Sequence, residues 1–181
     1  MRSGLIGWVI LLGGVSIALP ISAEEPAERP ALTVCQLVHM CRAELDAVYE
    51  SGTAPATLSG KVRGTTIPSP GSSFGPARSK ATRVVWQGKV FDSCCGTATN
   101  KFFGLRAVKA NVYSGESWMD GKPALILDYS QTSLVYRDVR DEIREVGPGL
   151  YLGAMVEDHC CGSRLKMYFV LEAPSCCPPC R

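Results

Sequence analysis

The chain has 181 residues, of which 46% are hydrophobic and 20% charged, and its formal net charge is +2. This composition excludes a disordered chain, which would be less apolar and more highly charged. The small net charge gives no reason to expect nucleic acid as a partner, because binding by phosphate neutralisation needs a marked excess of Lys and Arg. The unusual residue is cysteine, which occurs nine times.

The first 23 residues have the pattern of a secretory signal peptide. Arg2 precedes an apolar stretch from Leu5 to Leu19, and small residues lead up to Ala23. The stretch is short for a membrane span, which needs about 20 residues, and an uncleaved anchor is the alternative. We therefore expect export to the periplasm or the extracellular space, with no membrane association after cleavage. Exported cysteines are expected to be oxidised to disulfides.

The segment that follows contains one predicted helix. Residues 24–32 are polar and proline-rich and predict a mobile leader. Residues 33–50 predict an amphipathic helix, because Thr33 and Gln36 have capping-box spacing and apolar side chains recur every three or four residues. Residues 51–81 are rich in Gly and Pro and predict a connection, interrupted only by a short strand from Lys61 to Ile67.

Residues 82–173 predict a β domain, followed by a Cys- and Pro-rich tail at 174–181. Two turn signals, Asp120-Gly121 and Gly147-Pro148-Gly149, predict hairpins. The strand-length segments number at least six, which favours an antiparallel barrel or, alternatively, a β-sandwich. No Gly-rich phosphate loop follows a strand, so a nucleotide-binding α/β enzyme is not expected. The predicted class is therefore mainly β with one N-terminal helix.

The first segment of this domain, Arg83 to Phe91, predicts a strand. Simple alternation places Trp86 and Gly88 on one face, and Lys89 and Phe91 on the other. Later in the domain, residues 137–146 fit either a strand or a helix, and we favour a strand because turn-flanked β segments follow.

The cysteines include three adjacent pairs. Adjacent cysteines seldom bond to each other, so we expect each to have a distant partner, and structural disulfides are the favoured interpretation. Four bridges would leave one thiol. The Cys-x-x-Cys of the tail, together with His159 beside a cysteine pair, makes a redox or metal-binding protein an alternative, although we predict no metal and no cofactor. The nine candidates are Cys35, Cys41, Cys94, Cys95, Cys160, Cys161, Cys176, Cys177 and Cys180.

The sequence offers few catalytic candidates. The two histidines, His39 and His159, lie in no recognisable catalytic motif, and the Gly-x-Ser-x-Gly turn of many hydrolases does not occur. The densest charged segment, Arg137 to Glu145, is interpreted as a solvent-exposed strand face rather than as a catalytic pair of carboxylates, with Arg144 as the one side chain that can turn inward. We predict no catalytic residue and favour a protein that is not an enzyme.

The segment Val85 to Phe91 resembles the Trp-containing first strand of calycin barrels, the fold of lipocalins and fatty-acid-binding proteins. It also resembles the W-x-G-K-x-F element of small bacterial proteins of the GXWXG type. The resemblance implies an antiparallel barrel in which Trp86 closes one end and an Arg packs over it, and it implies no established activity. Further matching segments extend it over residues 82–156: Asn100, Asp120–Pro123, Leu127–Ser130, Arg140–Val146 and Gly149–Gly153.

The aromatic residues of the β domain fit either a filled core or the wall of an apolar ligand cavity. We predict that the protein binds a small apolar or amphipathic ligand inside the barrel. The candidate binding residues are Trp86, Tyr129, Arg144 and Tyr151. A hydrolase or isomerase that acts in the barrel mouth is the enzymatic alternative.

Overall fold

A computed structural model of the protein describes residues 31–174. Eight antiparallel strands follow one another in chain order, and β1 pairs with β8 to close a barrel. This confirms the mainly β class and the barrel, and it excludes the sandwich. The strands are β1 (Gly60–Ile67), β2 (Trp86–Asp92), β3 (Thr97–Phe102), β4 (Leu105–Glu116), β5 (Pro123–Asp128), β6 (Val139–Gly147), β7 (Leu150–His159) and β8 (Gly162–Glu172). The predicted signal peptide, most of the leader and the three tail cysteines lie outside the described residues.

The N-terminal helix is two helices, α1 (Val34–His39) and α2 (Arg42–Ser51), where the sequence predicted one. Thr33 and Gln36 form the expected capping box. The backbone is extended at Met40, and the Cys41 N–H donates to the Glu44 carboxylate, which caps a second helix. The apolar periodicity runs through both helices, so it carries no signal of the break.

A third helix, α3 (Gly75–Val85), lies between β1 and β2, where the sequence predicted a loop and the start of a strand. Pro76 stands in its first turn, a position that proline favours because the missing N–H has no helical partner there. Strand β3 was also not predicted, since its residues show little apolar alternation. Within residues 31–174, no helix has the length and hydropathy to cross a membrane.

The described residues form two apolar cores, one inside the barrel and one outside it. The outer core forms where α1 and α2 cover β7 and β8: Leu37 and Tyr49 of the helices pack with Leu152 and Val170 of the strands, and all four are fully buried. The helices therefore protect the outer face of one side of the barrel, and both faces of these strands are apolar.

Alternate connections lie at the same end of an antiparallel barrel. We call the end with the β1–β2, β3–β4, β5–β6 and β7–β8 connections the cavity end, for the reason given below. Cys94 and Cys95 lie in the β2–β3 connection, whereas Cys160 and Cys161 lie in the β7–β8 connection at the cavity end. These two pairs are thus at opposite ends and cannot bridge each other.

The predicted disulfides are not found among the described residues. The six cysteines within residues 31–174 are exposed and free. The Sγ atoms of Cys160 and Cys161 are 3.7 Å apart, well beyond bonding distance. The two separate cores, rather than covalent bridges between these cysteines, hold the described part of the chain together.

Candidate functional site

A cavity of about 140 Å³ lies inside the barrel at the cavity end. Its wall includes the ends of strands and the β5–β6 connection, which contributes Tyr136. Most of the wall is aromatic or apolar, and partly exposed side chains in it connect the cavity with solvent. The apolar wall residues are Trp86, Phe102, Val108, Tyr136, Val139, Met155, Met167 and Phe169.

The polar residues of the cavity form a network centred on Lys89. The Lys89 Nζ donates to Asn100 Oδ1 at 2.7 Å, to Tyr129 OH at 2.9 Å and to Asp141 Oδ2 at 2.7 Å. The side chains of Lys89 and Asp141 are only 2% and 6% exposed. All three ammonium donors therefore have acceptors, and the buried positive charge is compensated by a carboxylate.

The remaining members of this network also bond to one another. Trp86 Nε1 donates to Asn100 Oδ1 at 2.9 Å, Asn100 Nδ2 donates to Tyr129 OH at 2.9 Å, and Tyr129 OH donates to Asp141 Oδ2 at 2.7 Å. The ammonium also lies 5.3–5.6 Å from three aromatic ring centroids, those of Trp86, Tyr129 and Phe169. Such distances allow cation–π attraction.

Burial changes the proton affinity of two members of the network. It lowers the pKa of Lys89, and the neighbouring Asp141 opposes this shift. It raises the pKa of Tyr129 well above the usual value, an effect to which Asp141 adds. The Tyr129 hydroxyl therefore stays protonated and remains a hydrogen-bond donor.

A bulge in β2 brings Trp86 and Lys89 to the same side of the sheet. The pairing register with β3 shifts between these two residues, and Gly88 has φ of +115°. An extra residue in one strand reverses the alternation beyond it. The prediction that Trp86 and Lys89 lie on opposite faces was therefore wrong, and the glycine between them is the signal that could have indicated the bulge.

Two glycines make room for the largest rings of the wall. A Cβ on Gly64 would lie 2.4 Å from the Trp86 ring, and a Cβ on Gly153 would lie 2.1 Å from the Phe169 ring. The two rings meet edge to face with centroids 5.5 Å apart. Small residues on β1 and β7 thus determine where the aromatic wall of the cavity stands.

The structure places two of the four predicted binding residues, Trp86 and Tyr129, in the cavity wall. Tyr151 packs in the barrel interior without lining the cavity, and Arg144 lies on the outer face of β6. The arginine that the resemblance places over Trp86 is absent from the wall, where Lys89 contacts the indole instead. Sequence reasoning missed Lys89, Asn100 and Asp141, the polar part of the site.

The charged segment at 137–145 is mostly buried, contrary to the predicted solvent-exposed face. Asp141 faces the cavity, whereas its neighbour Glu142 faces outward beneath α2 and the β4–β5 connection. Glu142 is fully buried and accepts hydrogen bonds from Arg140 Nε at 2.8 Å and from the Trp118 N–H at 2.8 Å. Because they point to opposite faces, Asp141 and Glu142 cannot act as a catalytic pair.

Arg144 joins three elements on this outer face. Its guanidinium donates to both Asp120 oxygens, at 2.7 Å and 2.6 Å, and to the backbone carbonyl of Tyr49 at 3.2 Å. It also donates to the carbonyls of Lys122 and Pro123, each at 3.0 Å. Arg144 therefore fastens the β4–β5 connection and the end of α2 to β6, and its role is structural.

The Asp120–Arg144 pair predicts an acid-dependent loss of stability. The hydrogen bonds from Arg144 are the main reason that the pKa of Asp120 lies below its ordinary value. The stabilisation is complete above the unfolded-state pKa near 4 and is lost as the pH falls through the lower folded-state value. We expect Asp120→Asn to be less stable than the parent at pH 6, with a difference that shrinks towards pH 2. Urea unfolding across this range measures it, and a constant difference would contradict the assignment.

Neither histidine lines the cavity. His39 Nδ1 lies 2.6 Å from the carbonyl oxygen of Cys35, one helical turn before it, and the exposed His159 Nε2 lies 2.8 Å from Glu157 Oε2. In the part of the chain that the structure describes, no group of three His, Cys, Asp or Glu side chains is arranged to hold a metal ion. The polar side chains that line the cavity are those of Thr66, Lys89, Asn100, Tyr129 and Asp141.

Comparison with known proteins gives little further information. No protein-family model matches the chain, and no curated protein matches it. Among solved structures, the chain is similar to one described as the crystal structure of a protein from Thermomonospora curvata. The two share 18% sequence identity with a TM-score of 0.49, and the match covers 78% of this chain and 93% of the other.

Proposed function

We propose that the protein is an exported, calycin-like barrel that binds a small, uncharged amphipathic molecule. The observation that carries the proposal is the cavity of about 140 Å³, with apolar walls and a polar base formed by the Lys89 network. A cavity of about 150 Å³ lined by apolar side chains is known to accept benzene. The matching ligand is therefore about the size of one aromatic ring, and a long-chain fatty acid would not fit inside.

The network also favours an uncharged polar group on the ligand. The Lys89 ammonium already has three acceptors, and Asp141 balances its charge. An additional carboxylate would bring a buried charge without a free partner, which is unfavourable. A hydroxyl group can both donate to and accept from such a network, so we expect phenol to bind better than benzoate.

Ligand titration tests this proposal on the Trp86 indole, whose N–H signal reports on the cavity in a ¹H–¹⁵N spectrum. Phenol and toluene should shift it with dissociation constants of about 0.1–1 mM, as expected for ligands of about seven heavy atoms. Benzoate should bind about tenfold more weakly or not at all. If none of the three shifts the signal, the proposal is wrong.

A cavity-filling variant provides the control. Val139→Trp introduces a large side chain into the wall and should abolish the shifts, whereas Pro148→Trp adds the same group at an exposed position at the other end of the barrel and should not. Far-ultraviolet circular dichroism shows whether both variants keep the β fold. Unchanged binding by a folded Val139→Trp variant would place the ligand elsewhere.

An isomerase is the second candidate, because Asp141 is a buried carboxylate inside the cavity, beside the Tyr129 hydroxyl. Asp141 would remove a proton from a carbon next to a ligand carbonyl, Tyr129 would donate to the resulting enolate oxygen, and Asp141 would return the proton. Deuterium exchange into cyclohexanone in D₂O, present with the parent and absent with Asp141→Asn, would favour this candidate. No exchange above buffer would remove it for this class of substrate.

A further inference from the structure

The charges of the chain are unevenly distributed around the barrel. Residues 51–115 contain nine Lys and Arg and one Asp, whereas residues 116–174 contain six Lys and Arg and ten Asp and Glu. Because the strands follow chain order around the barrel, β1–β4 with α3 form a basic side, and β5–β8 form an acidic side. The small net charge therefore conceals a strongly polarised molecule.

Exposed apolar side chains lie on the basic side at the cavity end. They come from the last turn of α3 and from the β3–β4 hairpin, and they are 42–73% exposed. Two hydrogen bonds connect these elements: the Phe103 N–H donates to the Val85 carbonyl at 2.9 Å, and the Gly104 N–H donates to Gln87 Oε1 at 2.7 Å. We call this patch the apolar rim. It consists of Val84, Val85, Phe103 and Leu105.

Phe103 holds its exposed position at the expense of backbone strain. It and Gly104 form the two-residue turn of the hairpin, with φ of +48° and +85°. Asn, Asp and Gly are the residues that this turn favours at its first position, since positive φ strains most other side chains. A strained residue that presents a solvent-exposed ring points to a role outside the fold.

Cations lie beside this hairpin. Lys101 and Arg106 are direct cross-strand partners beside the turn, an arrangement of like charges that is unfavourable in itself. The nearby Lys61 ammonium is the main reason that the pKa of Lys101 lies below its ordinary value. Within residues 31–174, none of these three side chains takes part in an ion pair. The cluster therefore has positive charge available for an external anion.

We propose that the apolar rim and its cations dock on a membrane surface that contains anionic lipids. Apolar side chains that enter the boundary between headgroups and acyl chains, flanked by Lys and Arg, are the usual means of such binding. Nucleic acid would match the cations and can stack a base on Phe103, but it has no apolar counterpart for the exposed aliphatic side chains of Val84, Val85 and Leu105. Docking directs the cavity towards the membrane, because Phe102 in the cavity wall immediately precedes Phe103. This surface association departs from the expectation that the chain has no membrane association after signal-peptide cleavage, and it does not depend on the ligand proposed above.

Quenching by brominated lipids tests the proposal on the full chain. Vesicles contain equal amounts of phosphatidylcholine brominated in its acyl chains and phosphatidylglycerol. The tryptophan introduced by Phe103→Trp should lose about twice as much fluorescence as the matched tryptophan from Pro148→Trp, which lies in the β6–β7 connection at the other end. The apolar N-terminal segment is the same in both variants and cannot produce this difference.

A second measurement tests whether membrane binding requires the positive charges beside the hairpin. Adding Lys101→Gln and Arg106→Gln to the Phe103→Trp variant should reduce the quenching to the level seen with brominated phosphatidylcholine alone. Equal quenching of the tryptophans at 103 and 148 would overturn the proposal. It would also be overturned if quenching is absent and sedimentation equilibrium shows self-association that Phe103→Ser abolishes, since the rim would then be an interface between copies of the chain.

Discussion

Asp141→Asn is expected to lower the free energy of unfolding by about 3–5 kcal/mol, because it removes the charge partner of a buried ammonium. Lys89 is 2% exposed, so its ammonium has little contact with solvent to replace the lost carboxylate. Asn100 and Tyr129 still accept from its Nζ, but neither carries a compensating charge. Urea unfolding at pH 7 measures the loss.

A double-mutant cycle measures the interaction free energy between Lys89 and Asp141 separately from their contacts with other residues. Lys89→Met alone leaves Asp141 without its cation, whereas the combination with Asp141→Asn leaves no charge buried. We expect the double variant to be more stable than the sum of the single effects predicts, by about 1–3 kcal/mol. The exposed Lys166–Glu157 pair, 2.8 Å apart, is the control, and Glu157→Gln should cost less than about 1 kcal/mol. If the effects of the two single substitutions are additive, the Lys89–Asp141 contact contributes nothing to the free energy of unfolding, and the prediction is wrong.

The stability of the Asp141→Asn variant has a predictable pH dependence. Burial lowers the folded-state pKa of Lys89 below its ordinary value of 10.5, and Asp141 opposes this shift. Between the folded and the unfolded pKa, the unfolded state binds more protons, so stability rises with pH in this window. Loss of the Asp141 carboxylate lowers the folded-state pKa of Lys89 further. The pH range in which stability rises with pH therefore begins at a lower pH. The stability of Asp141→Asn should therefore increase more steeply than that of the parent from pH 7 to pH 10, and equal slopes would contradict the assignment.

The strands were predictable to the extent that local sequence determines them. The turn signals at Asp120-Gly121 and Gly147-Pro148-Gly149 correctly predicted two hairpins, because positive φ in a tight turn is a local requirement. Closure of the barrel depends instead on pairing between β1 and β8, about 100 residues apart, which no local pattern encodes. The break between α1 and α2 was missed because one apolar periodicity spans both helices.

The site was less predictable than the fold, for two physical reasons. The bulge at Gly88 reverses the alternation in β2, so the pattern separated Trp86 from Lys89 although both line one cavity. In β6, the strand was predicted correctly, but its charged face was wrongly interpreted as solvent-exposed, since α2 and the β4–β5 connection cover the face that carries Glu142. Burial of a charged residue depends on which distant segment packs over it, and one sequence does not contain that information.

Arg144→Met is expected to destabilise the protein by about 3–5 kcal/mol, comparable to the loss at Asp141, although Arg144 lies on the other face of β6. The variant removes the charge partner of Asp120 and leaves the carbonyls of Tyr49, Lys122 and Pro123 without this donor. Arg144 is fully buried, so water cannot replace the guanidinium without displacement of α2 or the β4–β5 connection. Thermal and urea unfolding measure the loss.

The Arg144→Lys variant tests whether the hydrogen-bond geometry of the guanidinium or its positive charge stabilises these elements. Lysine keeps the positive charge but lacks the planar fork that donates to two carboxylate oxygens and to the backbone at once. We therefore expect it to recover less than half of the loss, and amide hydrogen exchange should be faster in α2 and in residues 117–122. The exposed Arg164 provides the control, since Arg164→Met should change stability by no more than about 0.5 kcal/mol. Full rescue by lysine would mean that charge alone holds these elements together, and the structural role assigned to the guanidinium fork would be wrong.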